Sequence, residues 1–122
     1  MLLKKQYEVS VSNEDRILFA ELSGDFNPLH VDEEYSSQTE YGKCILHGAF
    51  SSGLFSRMAG MHIPGEKCVL IDMKMKFMSP TITPCNLIVV GESIFSDESG
   101  GEVNVSIFHK ENGLLLTKGS YR

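Results

Sequence analysis

The segment from Leu46 to Met61 constrains the fold of this chain more than any other. Its one formally charged side chain is Arg57, and many of its residues are small: Gly48, Ala49, Ser51, Ser52, Gly53, Ser56, Ala59 and Gly60. A helix that is apolar or small on every face is expected to be buried on every face, and small residues let another backbone approach closely. At about 1.5 Å per residue it would be about 24 Å long, the length of a sheet that it could fill.

The sequence after this helix predicts four consecutive β-strands. From Val69 to Phe77, apolar and polar residues alternate with a period of two, which is typical of a strand buried on one side. Three more strands are predicted at residues 87–95, 103–107 and 114–121, and the connections between the strands contain proline or glycine.

The beginning of the chain predicts one more strand and a capped helix. Weak alternation over the first eleven residues indicates a half-buried strand. Ser12 can then cap a helix over residues 12–23, which ends at Gly24. The apolar residues of this helix stand at helical spacing: Ile17, Leu18 and Leu22.

This order of elements predicts a single α+β domain over residues 1–122. One antiparallel sheet of about five strands would wrap around the long buried helix. Because a single sheet around one helix leaves apolar surface uncovered, we also expect the chain to self-associate.

The composition and the N-terminus argue against several classes of protein. The chain has 11 Lys and Arg against 16 Asp and Glu, and its net charge of −5 argues against nucleic-acid binding. The longest apolar stretch falls short of the about 20 apolar residues that a membrane span needs. Lys4 and Lys5 follow two leucines, which is the wrong order for a signal peptide. We therefore expect a cytoplasmic protein without a membrane partner.

Polar side chains are concentrated between Ser23 and His30. Asp25 and His30 are five residues apart, and on a helix they would point about 140° apart, so an irregular loop is needed to bring them together. Pro28 favours such a loop. A carboxylate beside an imidazole can take up and return a water proton near neutral pH. Alternatively, Asp25 caps a turn and His30 is a partly buried hydrogen-bonding residue.

A second candidate lies at His47 and Gly48, where the long helix is predicted to begin. The free N–H groups of a first helical turn suit a carbonyl oxygen that gains negative charge, and Gly48 has no side chain to block its approach. Alternatively, Gly48 permits close packing and His47 forms a hydrogen bond at the helix start. The spacing of the four histidines matches no metal-ligand motif, so no metal is expected.

These residues together resemble a known signature. Residues 24–30 read Gly-Asp-Phe-Asn-Pro-Leu-His, and His47-Gly48 follows seventeen positions after His30. This pattern resembles the hydratase signature of the MaoC-like family, the (R)-specific enoyl-CoA hydratases, which have a hot-dog fold. The resemblance extends from about Phe19 to Met61, with a looser match over residues 77–91.

The resemblance implies a reaction and a role for each residue. Asp25 and His30 would activate one water for reversible addition to Cβ of a trans-2-enoyl thioester and supply the proton to Cα, giving an (R)-3-hydroxyacyl thioester. The Gly48 N–H would bind the thioester oxygen. The supporting residues would be these: Asn27, which shapes the loop, Ser56, which lies near the catalytic pair, and His47.

The resemblance also implies partners. The substrate would be an acyl-CoA or an acyl-carrier-protein thioester, and CoA or phosphopantetheine would enter as part of it, with no separate cofactor. The family works as a homodimer, with the acyl chain running between subunits. Two alternatives stay open: a hot-dog acyl-CoA thioesterase, and a non-catalytic acyl-thioester-binding domain. The absence of a carboxylate between Leu46 and Met61 favours the hydratase over the thioesterase.

Overall fold

Five strands form one antiparallel sheet in the computed structural model, which describes residues 2–122. The strands are β1 (Lys4–Val11), β2 (Met73–Phe77), β3 (Cys85–Asp97), β4 (Gly100–His109) and β5 (Leu115–Tyr121). The sheet order is β1-β3-β4-β5-β2, so β2 pairs with β5 at one edge although β3 follows it in the sequence. The prediction of an α+β domain with one antiparallel sheet of about five strands is confirmed.

The first helix, α1 (Asn13–Ser23), begins and ends where the sequence predicts. The Ser12 hydroxyl accepts a hydrogen bond from the Asp15 N–H at 3.0 Å, and the Asp15 carboxylate accepts one from the Ser12 N–H at 2.8 Å. Gly24 then ends the helix in a left-handed conformation, with φ of 79°. The apolar residues at helical spacing do not mark the buried side of α1: Ile17, Leu18 and Leu22 are exposed, whereas Arg16 and Ala20 are buried.

Two short helices, α2 (Pro28–Val31) and α3 (Glu33–Ser37), precede the central helix, α4 (Phe50–Met61). This central helix is shorter than predicted and begins at Phe50 rather than at Leu46. Residues 45 and 46 are held in an extended strand-like contact instead. Ile45 forms an isolated antiparallel bridge with Ile82, and the Leu46 N–H donates to the Thr81 carbonyl at 2.7 Å. Because of this pairing, α4 begins four residues later than predicted.

The expectation that the central helix is buried on every face is also wrong for the single chain. Its buried residues lie on one face, which packs against the sheet: Leu54, Phe55, Met58 and Ala59. The opposite face stays exposed and carries Gly53, Ser56, Arg57 and Met61. One sheet can cover only one side of a helix, so the small residues on the other side have no covering layer among residues 2–122.

Tyr7 of β1 fixes the central helix to the sheet. Its side chain is buried, and its hydroxyl donates to the Leu54 carbonyl at 2.5 Å. Arg57 lies over the tyrosine ring at 4.1 Å from its centroid, and His62 stacks on the ring at 5.3 Å. Burial raises the pKa of Tyr7 to about 12, against the opposing effect of the Arg57 charge.

Strand β2 begins at Met73, four residues later than the predicted start at Val69. Its partner β5 ends at Tyr121, which lies opposite Met73. Beyond this pair, the Ile71 N–H donates to the Arg122 carbonyl at 2.9 Å, and the Arg122 N–H donates to the Asp72 carbonyl at 3.0 Å. The side chains of Val69 and Ile71 are 85% and 81% exposed. Among residues 2–122, none of the helices has both the length and the apolar character to cross a membrane.

Candidate active site

The segment around Asp25 is held by two successive side-chain turns. The Asn27 N–H donates to the Asp25 carboxylate at 3.1 Å, and the Asn27 side-chain oxygen accepts from the Leu29 N–H at 3.0 Å. Asn27 thereby caps α2 (Pro28–Val31), a short helix in which Pro28 is the first residue. Residues 24–27 are irregular, as predicted, but His30 lies on this helical turn rather than in the loop.

The fold brings Asp25 and His30 together. The His30 Nε2 lies 3.9 Å from the nearer Asp25 carboxylate oxygen, Oδ2. The other ring nitrogen, Nδ1, lies 2.8 Å from the Ile45 carbonyl oxygen. A carbonyl can only accept, so Nδ1 carries the proton and donates it. In the neutral imidazole, Nε2 is therefore unprotonated and faces the carboxylate.

The separation of these two atoms suits a bridging water. At 3.9 Å they are too far apart for a direct hydrogen bond. A water about 2.8 Å from each atom would subtend an angle of roughly 90°, which a water molecule can accept. The Asp25 side chain is 51% exposed and that of His30 is 16% exposed, so the site is open to solvent on the carboxylate side.

His47 contacts both Asp25 and His30. Its Nε2 lies 2.9 Å from the Asp25 carbonyl oxygen and must donate to it. Its ring stacks on that of His30, with centroids 4.1 Å apart and planes inclined by 26°, and Phe19 packs against it at 4.9 Å. His47 is 2% exposed, and its Nδ1 has no hydrogen-bond partner among residues 2–122. The prediction that His47 forms a hydrogen bond near the helix start agrees with this geometry.

Asp25, His30 and His47 offer possible metal-ligand atoms within 4.8 Å of one another. Imidazole binds a metal in the plane of its ring, at about 2.0–2.1 Å for zinc. Because the two rings are stacked and nearly parallel, their in-plane lone pairs do not converge within that reach. The arrangement therefore suits mutual support of the rings rather than one shared metal ion.

Gly48 lies in the turn before the central helix. A Cβ added to it would lie 2.7 Å from the tip of the Phe77 ring, so the glycine permits close packing of this ring, as one of the two interpretations expects. The carbonyls of His47 and Gly48 accept from the Phe50 and Ser51 N–H groups, each at 3.0 Å. Within residues 2–122 the Gly48 N–H itself has no hydrogen-bond acceptor, so it is available to a ligand.

The structure does not connect Ser56 to the pair. Ser56 lies on the exposed face of the central helix, and no hydrogen bond joins it to Asp25 or His30 in the part of the chain that the structure describes. Its predicted place near the catalytic pair stays a prediction.

Sequence reasoning missed Arg16 and Ile45 as parts of the site. The backbone carbonyl of Ile45 fixes the His30 tautomer. This contact could not be predicted, because a pattern of side chains does not show which backbone groups they contact. Arg16 is buried on α1 and donates to the His30 carbonyl. One sequence feature is consistent with the burial of Arg16: it stands four residues before the apolar Ala20, so the two residues lie on the same face of the helix.

The sheet wrapped on a central helix, with a carboxylate and an imidazole beside the helix start, defines a hot-dog domain with a candidate acid–base site. Residues 2–105 match the MaoC like domain, and the chain belongs to this family.

Named relatives carry related descriptions. The chain is 37% identical over 79 residues to the 3-hydroxybutyryl-CoA dehydratase of Methylorubrum extorquens, covering 65% of this chain and 48% of the relative. It is 32% identical over 93 residues to the (R)-specific enoyl-CoA hydratase of Aeromonas caviae, covering 76% and 60%. The solved structure of an (R)-hydratase from A. caviae superposes with a TM-score of 0.90 at 26% identity, covering 98% of this chain and 91% of that one. The chain matches about half to three-fifths of the length of these curated relatives.

Proposed function

We propose that this chain is a hydro-lyase that adds water reversibly to the double bond of a trans-2-enoyl thioester, giving an (R)-3-hydroxyacyl thioester. The observation that carries the proposal is the Asp25/His30 pair, whose facing oxygen and nitrogen lie 3.9 Å apart with the His30 tautomer fixed. The names of the relatives, which are hydratases and dehydratases, support the same reaction.

The pair can carry out both proton transfers of this reaction. As the water oxygen bonds to Cβ, one of its protons passes to the Asp25/His30 pair. The π electrons of the double bond move towards the thioester carbonyl, and they form the new C–H bond when the pair returns one proton to Cα. The protein ends in its starting protonation state, and the reverse sequence is dehydration.

The Gly48 N–H is proposed to stabilise the negative charge that develops on the thioester oxygen. It precedes the 12-residue helix α4, whose dipole favours negative charge at this end. The helix start and the pair meet through His47, which follows Leu46 in sequence and contacts both Asp25 and His30.

We propose CoA or an acyl carrier protein as the thiol carrier, no separate cofactor, and action in the cytoplasm as a homodimer. Two features support the dimer: the exposed face of α4, and edge strand β2 with its preceding segment. The exposed apolar residues of the second feature are Val69, Ile71 and Phe77. Sedimentation equilibrium tests this proposal, and a monomer at micromolar concentration would contradict it.

The experiment that tests the function follows crotonyl-CoA by the ultraviolet absorbance of its conjugated double bond. Wild type is expected to hydrate it, and Asp25→Asn and His30→Ala are each expected to lose at least about 100-fold in kcat/KM while staying folded. His109→Gln serves as the control, because His109, the last residue of β4, lies 3.3 Å from the Glu111 carboxylate and outside the pair.

Other outcomes would replace the proposal. Release of free thiol without loss of the double bond would indicate the thioesterase. Binding of acyl thioesters with no reaction on either CoA or carrier-protein substrates would indicate the non-catalytic domain.

A further inference from the structure

Arg16 is a buried arginine to which the proposed reaction so far gives no role. It is 4% exposed, and no carboxylate lies within ion-pair distance of it among residues 2–122. Its guanidinium instead donates through Nη1 to the His30 carbonyl and through Nε to the Thr83 hydroxyl, the latter at 2.9 Å. Because a buried charge is costly unless its hydrogen bonds are satisfied, these two contacts define where Arg16 lies.

The two acceptors belong to the two segments that orient the His30 imidazole. The first acceptor is the backbone of His30 itself. The second, Thr83, follows Ile82, which forms the bridge with Ile45, and the Ile45 carbonyl accepts from the His30 ring at 2.8 Å. Arg16 therefore closes a ring of contacts that runs from the His30 backbone through its side chain to residues 45, 82 and 83.

The direction of the hydrogen bonds in this ring is fixed. The Thr83 hydroxyl donates to the Asn13 side-chain oxygen at 2.9 Å, so towards Arg16 it can only accept. The His30 and Ile45 carbonyls are acceptors by nature. Each contact thus has one donor and one acceptor, and only the guanidinium supplies two donors to two different segments.

We propose that Arg16 is a positioning residue for the Asp25/His30 pair. By joining the His30 backbone to the segment that supports Ile45, it keeps the His30 Nδ1–H on the Ile45 carbonyl and so leaves Nε2 unprotonated towards Asp25. This inference rests on the proposed function for its kinetic consequence only, since the tautomer of His30 can be measured without substrate.

The test combines kinetics with nitrogen-15 NMR of the histidine rings. Wild type is expected to show one neutral His30 tautomer, with the proton on Nδ1. Arg16→Met is expected to show a mixture of both tautomers and to lose about 10- to 100-fold in kcat, with KM changed less than about threefold, because the proton-accepting nitrogen is misplaced while the acyl site is kept.

Conservative and control variants separate positioning from simple destabilisation. Arg16→Lys has one compact donor group in place of the fork, so an intermediate tautomer ratio is expected. Thr83→Val removes one anchor and is expected to shift the tautomer ratio in the same direction. Arg122→Met breaks an exposed pair with Glu102 and is expected to change neither readout.

The outcomes are decisive in each direction. A folded Arg16→Met with the wild-type tautomer and wild-type kcat would overturn the proposal. If Arg16→Met does not fold, Arg16→Lys and Thr83→Val decide, and an unchanged tautomer in both overturns it. A wild type without hydratase activity, whose His30 tautomer still depends on Arg16, would overturn the proposed function and support the positioning role.

Discussion

The Tyr7 hydroxyl makes the stability of this protein depend on pH in a way that one substitution can isolate. Tyr7 donates to the Leu54 carbonyl in the middle of the central helix, and burial raises its pKa from the ordinary value of 10.0 to about 12. The unfolded chain therefore loses this proton near pH 10, whereas the folded protein keeps it until about pH 12. The stabilisation from the hydroxyl is full below pH 10 and is lost as the pH rises through 12.

The magnitude follows from the two pKa values. Relative to neutral pH, the contribution of Tyr7 falls by about 1 kcal/mol at pH 11 and by about 2 kcal/mol at pH 12. Tyr7→Phe removes both the hydrogen bond, which contributes about 1 kcal/mol, and the ionisation. Wild type should therefore be the more stable protein at pH 8, the two should be nearly equal at pH 11, and Tyr7→Phe should be the more stable at pH 12.

Urea denaturation followed by far-ultraviolet circular dichroism, at one protein concentration, measures this difference. Val11→Ala is the matched control, since Val11 is a buried residue of the same strand that does not ionise. Its destabilisation should be independent of pH even where other groups titrate. A difference between wild type and Tyr7→Phe that stays constant from pH 8 to pH 11 would refute the assignment of a buried, hydrogen-bonded hydroxyl.

Two further predictions concern backbone geometry. Gly119→Ala would place a Cβ 1.8 Å from the Lys74 carbonyl oxygen, so we expect a loss of at least about 2 kcal/mol in urea denaturation. Gly53→Ala, with nothing within 4 Å at an exposed position of α4, should gain about 0.5–1 kcal/mol in the monomeric chain. Equal stabilities of the two variants would contradict the close approach of β2 to β5. Asn27→Ala removes the cap from the Leu29 N–H and should cost about 1 kcal/mol and part of the hydratase activity, and Asn27→Asp, which keeps an acceptor oxygen, should restore the stability.

Helix ends, strands and turns could be predicted from the sequence where contacts between residues close in sequence determine the structure. The Ser12 cap and the Gly24 stop of α1 depend on hydrogen bonds or dihedral angles within a few residues. The alternating strands and their turns are local in the same sense, and so is the loop that carries the signature. For these elements the predictions agree with the structure to within a few residues.

The predictions failed where a distant partner decides the outcome. The central helix begins at Phe50 because residues 45 and 46 pair with the 81–82 segment, and no local pattern contains that contact. The buried side of α1 carries Arg16 because its hydrogen-bond acceptors arrive from His30 and Thr83, which are 14 and 67 residues away. The apolar spacing of Ile17, Leu18 and Leu22 supports a helix but does not show which side of it is buried.

The residues of the site could be identified from the sequence, because a signature of seven residues and a following His-Gly include the groups that can move a proton. The geometry and protonation of these groups depend on long-range contacts. The 3.9 Å separation, the tautomer of His30 and the stacking of His47 on it all depend on the Ile45 and Asp25 carbonyls and on where the chain folds back. Backbone groups are the same in every residue, so no sequence pattern can show which of them a side chain will meet.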